Sequence, residues 1–100
     1  VSRILEHCER STSYVMEPDS VDRIPTFEYY PFQNGEWQDE GMRALLQPAI
    51  DERILPYVRA RYGAPTCAIA DILVRRYLPG ERRTHAVHFD GHAFVTAVLG

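Results

Sequence analysis

His88-Phe89-Asp90 is the short stretch of this chain whose residue types and spacing point to a reaction. Strand side chains alternate between faces, so residues two apart point the same way. An H-x-D on a strand therefore presents an imidazole nitrogen beside a carboxylate oxygen. One further histidine would complete the facial set that holds Fe(II) and leaves positions open for a bidentate 2-oxo acid and dioxygen. The chain supplies His88 and Asp90 and reaches Gly100 before another ligand arrives from a distant strand. Taken alone, the tripeptide reads more plainly as a surface histidine and a turn aspartate before Gly91.

The flanking residues decide how much to make of it. Tyr77 precedes His88 by eleven positions, across a turn at 78–83. Asp71, Leu73, Arg75 and Tyr77 share one strand face, and Ala86, His88 and Asp90 share another. If the two strands pair, Tyr77 lies on the same wall as His88. Arg75 is then the arginine that could point at an anionic ligand. His92 has the parity of a third ligand, but Gly91 turns the chain before it. His85 has the opposite parity, and His7, on an N-terminal helix, reads as a surface residue. Tyr77 also fits a core tyrosine with its hydroxyl satisfied by a neighbour.

Other chemistries find little support. All eleven basic residues are arginine, so this segment has no lysine nucleophile or Schiff base. There is no G-x-S-x-G and no glycine-rich phosphate loop. Cys8 and Cys67 stand far apart without zinc spacing, as two thiols or a single disulfide. The net charge of −3 gives no bulk attraction to nucleic acid, and no run is long and apolar enough to span a membrane. Arg75, Arg76, Arg82 and Arg83 read as a solvated hairpin, and Asp51-Glu52 as an exposed helical pair.

The elements that would position the site follow from pattern. Residues 2–10 form a short helix with Ile4, Leu5 and Cys8 on one face and Ser2 as a cap. Residues 11–22 are a turn-rich loop. Thr26 to Tyr30 is a short edge strand bracketed by Pro25 and Pro31, and Asn34-Gly35 is a turn. The aromatics from Phe27 to Trp37 pack on the helix that follows. That helix runs from an Asp39 N-cap to Tyr62, stops at Gly63, and kinks or restarts at Pro48 and Pro56. Strands follow at 67–77, 84–89 and 93–99. With 45% apolar and 25% charged residues, the composition is that of a globular domain or part of one. A start at Val1 and an apolar ending at 93–100 lead us to expect truncation at both ends.

The segment Arg75-Arg76-Tyr77-Leu78-Pro79-Gly80, then His85, His88-Phe89-Asp90 and Phe94 to Leu99, resembles the prolyl 4-hydroxylase-like branch of the Fe(II)/2-oxoglutarate dioxygenases. The likeness extends over residues 21–100, with the long helix in the place of that family's supporting helix. It implies an α+β architecture: N-terminal helices packed on the first strands of a double-stranded β-helix, or jelly-roll, barrel. Residues 1–100 would be the N-terminal part of one such domain, 1–63 its helical support and lead-in and 64–100 its first barrel strands. By the same resemblance His88 and Asp90 are iron ligands, Tyr77 hydrogen-bonds 2-oxoglutarate, and Thr96 lines the cosubstrate pocket. No catalytic residue beyond the metal ligands is implied. Fe(II), 2-oxoglutarate and ascorbate are the implied cofactors, with a peptidyl proline or a small molecule as substrate. The distal iron-binding histidine and the basic anchor for 2-oxoglutarate are not in this sequence. Ala93 and His85 stand where the family often has an arginine and an aromatic residue. A non-catalytic binding module on the same barrel is the alternative.

Overall fold

The computed structural model describes residues 2–19, 21–77, 80 and 93–98. In chain order these form α1 (Ser2–Arg10), β1 (Val15–Pro18), β2 (Pro25–Gln33), β3 (Glu36–Trp37), α2 (Glu40–Ala49), a π-helical segment (Ile50–Ile54), α3 (Leu55–Tyr62) and β4 (Ile72–Arg76). The architecture is α+β, with an open antiparallel sheet and helices on one face.

β2 is the centre of the sheet. Glu28 pairs with Val15 of β1 and Arg75 of β4, and Phe32 pairs with Trp37 of β3 and Ile72 of β4. A strand has two edges, so β4 holds one and β1 and β3 share the other. This corrects the edge-strand expectation for 26–30. A proline in a central strand needs a place where its missing N–H costs no ladder bond. Between Tyr29 and Phe32 the register against β4 slips, three steps on β2 matching two from Val74 to Ile72. Pro31 sits in that bulge, and its carbonyl accepts from the Gln38 N–H at 2.7 Å. The extra residue also returns Phe32 to the face of Tyr29, where it meets Trp37 edge-on at 5.2 Å. Asn34 and Gly35, both at positive φ (55° and 78°), close the β2–β3 hairpin.

The expected loop at 11–22 contains β1, paired with β2 from Val15–Glu28 to Pro18–Pro25. Asp19 builds the connection. Its Oδ1 accepts from Val21 N at 2.8 Å, and its backbone exchanges bonds with Arg23 and Ile24.

The helical layer follows its sequence signals closely. The Asp39 side chain accepts from Met42 N at 3.0 Å, capping α2. Gly63 ends α3 in the left-handed conformation, φ 59°. Neither Pro48 nor Pro56 breaks the run; instead the ladder widens to i→i−5 over Ile50–Ile54 before α3 resumes. Met42, Leu46 and Ile50 form the buried cluster, against which Ile4, Cys8, Trp37, Ile69, Ile72 and Val74 pack. Leu5, expected on the packed face of α1, is exposed.

Two strand expectations need correction. Only 72–76 of 67–77 is strand; the stretch before it turns at 65–66, and the Arg59 guanidinium holds the Cys67 carbonyl at 2.8 and 2.9 Å. Residues 93–98 form no strand, and Phe94 rests edge-on against Tyr62 of α3 at 5.9 Å. The expected strand at 84–89 lies outside the described residues.

Candidate functional site

Strand alternation splits the sheet into two unlike faces. Tyr29, Phe32, Ile72 and Val74 point to the helices. Glu28, Leu73, Arg75 and, one residue past β4, Tyr77 take the opposite face.

On that opposite face Arg75 is fixed by two carboxylates. Its Nε and Nη2 donate to Glu28 Oε2 at 3.0 and 2.9 Å, and Nη2 donates to Asp19 Oδ2 at 2.7 Å. Asp19 is 3% exposed. Burial works against the Arg75 charge, but hydrogen bonds with Glu28 and Tyr77 and the charges of Glu28 and Asp19 raise its pKa. With two acids already on its fork, Arg75 is not an open anchor for an anion, which corrects that expectation. Tyr77 stands next to it, 46% exposed.

A second polar group lies on the helical side, where the sequence reading placed only a surface histidine. His7 Nε2 donates to both Asp39 oxygens, at 2.9 and 2.8 Å, and Tyr29 OH donates to Oδ2 at 3.2 Å. An ionised carboxylate only accepts, so the His7 proton is on Nε2. Burial alone would raise the Asp39 carboxyl, but the bonds from His7, Met42 N and Tyr29 and the His7 charge bring it below the ordinary value. Burial first, then the Asp39 charge, pushes Tyr29 well above the usual phenol range, although a hydrogen bond with Ser11 opposes them.

An imidazole–carboxylate pair is part of a nucleophilic triad, but among the described residues no activated nucleophile stands beside it. Burial, reinforced by Asp39, raises the Cys8 pKa and keeps it a thiol. The His7 ring instead lies over the first turn of α2, where any side chain at Gly41 would strike Cε1. The group clasps α1 to α2. Its sequence signal is Gly41, two residues after the Asp39 cap.

Of the residues singled out from sequence, Tyr77 is on the sheet face away from the helices, and Thr96 is exposed in the irregular segment 93–98. His88 and Asp90, with His85 and His92, lie outside the described residues. Among the described residues no group of three or more His, Cys, Asp or Glu side chains is placed to hold a metal ion. Cys8 and Cys67 are free thiols. No described helix is long and apolar enough to cross a membrane. Comparison with known proteins gives no matching family model, no matching curated protein and no matching solved structure.

Proposed function

We propose that these residues belong to an Fe(II)- and 2-oxoglutarate-dependent dioxygenase of the prolyl 4-hydroxylase-like kind, the open sheet being one wall of a double-stranded β-helix. The observation that carries the reading is the position of Tyr77. It follows β4, the strand that leads toward His88-Phe89-Asp90, and it faces away from the helices. In a barrel supported by helices on its outside, that is the inner face, where a cosubstrate binds.

The donor chemistry of His88 and Asp90 suits Fe(II), a neutral nitrogen and an anionic oxygen with room for further ligands. When bound, the ion supplies hydroxylation of a C–H bond coupled to decarboxylation of 2-oxoglutarate. The chain's own residues bind and orient. His88 and Asp90 hold the metal, Tyr77 donates its hydroxyl proton to 2-oxoglutarate, and Thr96 lines the pocket. A further histidine and a basic anchor for the 2-oxo acid would come from sequence after Gly100. A peptidyl proline is the substrate class the resemblance favours, and a small molecule fits the same residues.

The test is succinate release by the full-length protein with Fe(II), 2-oxoglutarate, ascorbate and proline-containing peptides. His88→Ala and Asp90→Ala should each abolish release. Activity surviving in either variant would overturn the iron assignment. Binding of a peptide without succinate release would favour a non-catalytic module.

A further inference from the structure

We infer that the outer face of α3 docks an acidic segment of a protein partner: Arg53 and Arg61 receive two of its carboxylates, and Tyr57 packs on an apolar residue between them. Charge is unevenly distributed along the chain. Residues 1–52 hold eleven acids against four arginines, whereas residues 53–70 hold three arginines and no acid. Arg59 is committed to the Cys67 carbonyl through both Nε and Nη2. Arg53 and Arg61 are exposed, and among the described residues neither meets a carboxylate. Residues four apart on a helix share a side, so Arg53, Tyr57 and Arg61 form one row, its two arginines about 12 Å apart along the axis.

The row has an aromatic floor beside it. Tyr57 is 64% exposed. The Arg61 guanidinium lies over the Tyr62 ring at 5.5 Å, and Tyr62 meets the exposed Phe94 edge-on at 5.9 Å. Stacking on the ring orients the guanidinium and leaves its N–H edge open. That edge matches a carboxylate with two parallel hydrogen bonds. Tyrosine and arginine exposed side by side are also the residues that carry most of the energy in protein interfaces. The partner has to be anionic and narrow. Asp51 and Glu52, both exposed, directly precede Arg53 on the same helix. A lipid surface or a nucleic acid wide enough to reach both arginines would press on those carboxylates, and surfaces that hold such polyanions carry more cations than two. A single peptide segment can follow the row and miss them.

The experiment is fluorescence anisotropy of the full-length protein with a labelled helical peptide that has glutamates at positions i and i+8 and leucine at i+4. We expect saturable binding that weakens as salt rises, and at least a tenfold loss when both glutamates become glutamine. Arg61→Gln should weaken the parent peptide about tenfold, the scale of one hydrogen bond to a charged group. It should leave the affinity of one of the two single-glutamine peptides unchanged, and Arg53→Gln should spare the other. Tyr57→Ala should weaken every peptide about equally. Both arginines are exposed, so their glutamine variants change the contact without touching the core. Absence of saturable binding, or equal losses for both single-glutamine peptides in Arg61→Gln, would overturn the inference. Tighter binding to phosphatidylglycerol vesicles or single-stranded RNA, lost in Arg61→Gln, would overturn it in favour of a polyanion. A dimer in sedimentation that Arg61→Gln dissolves would overturn it in favour of a second copy of the chain.

Discussion

Asp39 joins three elements of the molecule through one side chain. It caps α2, receives the imidazole of α1 and receives the phenol of β2, so helix and sheet meet at one carboxylate. Asp39→Ala removes the cap, takes the acceptor from His7 Nε2 and takes one hydrogen-bond partner from Tyr29. We expect a loss of about 2 kcal/mol in chemical denaturation, a capping contribution plus orphaned partners. Asp39→Asn keeps an acceptor at the cap and should cost about half of that. The pH dependence has a definite sign. Because the folded carboxyl is shifted down, its contribution is full above the ordinary carboxylate value. It is lost as pH falls through the folded value. Stability measured from ~pH 5 down to ~pH 2 should therefore fall less steeply in Asp39→Asn than in wild type. Gly41 tests the same contact sterically. Gly41→Ala drives a methyl into His7 Cε1 and should destabilise by about 1–3 kcal/mol, as overpacking does. In a His7→Ala background that penalty should vanish, since alanine is otherwise the better helix former. A penalty that persists without the imidazole would mean that α1 is not seated by this ring.

The elements show which features of the fold were legible in sequence. Asp39 and Gly63 announced both ends of the long helix because a cap needs only its immediate neighbours. Asn34-Gly35 announced its hairpin for the same reason. The misses were non-local. His7 meets its partner 32 residues away, and β1 exists only by pairing with β2. The central place of β2 was hidden by Pro31, which reads as an edge signal until the bulge that houses it is seen. Of the candidate site, the parity that puts Arg75 and Tyr77 on one face was legible; the acids that occupy Arg75 were not, because they come from two other segments. Pro48 marks the opposite case, a local cost that the helix tolerates. It lies in the interior of α2 on the exposed side, without the N–H that would complete the ladder. Pro48→Ala should raise stability by about 1–3 kcal/mol, visible as a higher Tm, because a proline in a helix interior costs about 3 kcal/mol relative to alanine. A lower Tm would show that the π-helical segment after it depends on the proline.

At the scale of the whole molecule, the sheet is held by unlike forces on its two faces. The helical face buries apolar side chains around Met42, Leu46 and Ile50, and its cohesion is non-directional. The other face is pinned by one arginine between two carboxylates, and that arrangement is asymmetric under mutation. Removing Asp19 leaves Arg75 still paired with Glu28. Removing Arg75 takes the guanidinium from Glu28 and Asp19 at once. A buried charge stripped of its partner costs about 3–5 kcal/mol, far more than the intact pair contributes. Arg75→Met should therefore destabilise much more than Asp19→Asn in urea denaturation. Met42→Ala, a cavity on the other face, should cost about 2–5 kcal/mol. A urea midpoint for Arg75→Met no lower than that of Asp19→Asn, beside a full loss in Met42→Ala, would show that the sheet is held by packing alone and that the charge network is incidental to the fold.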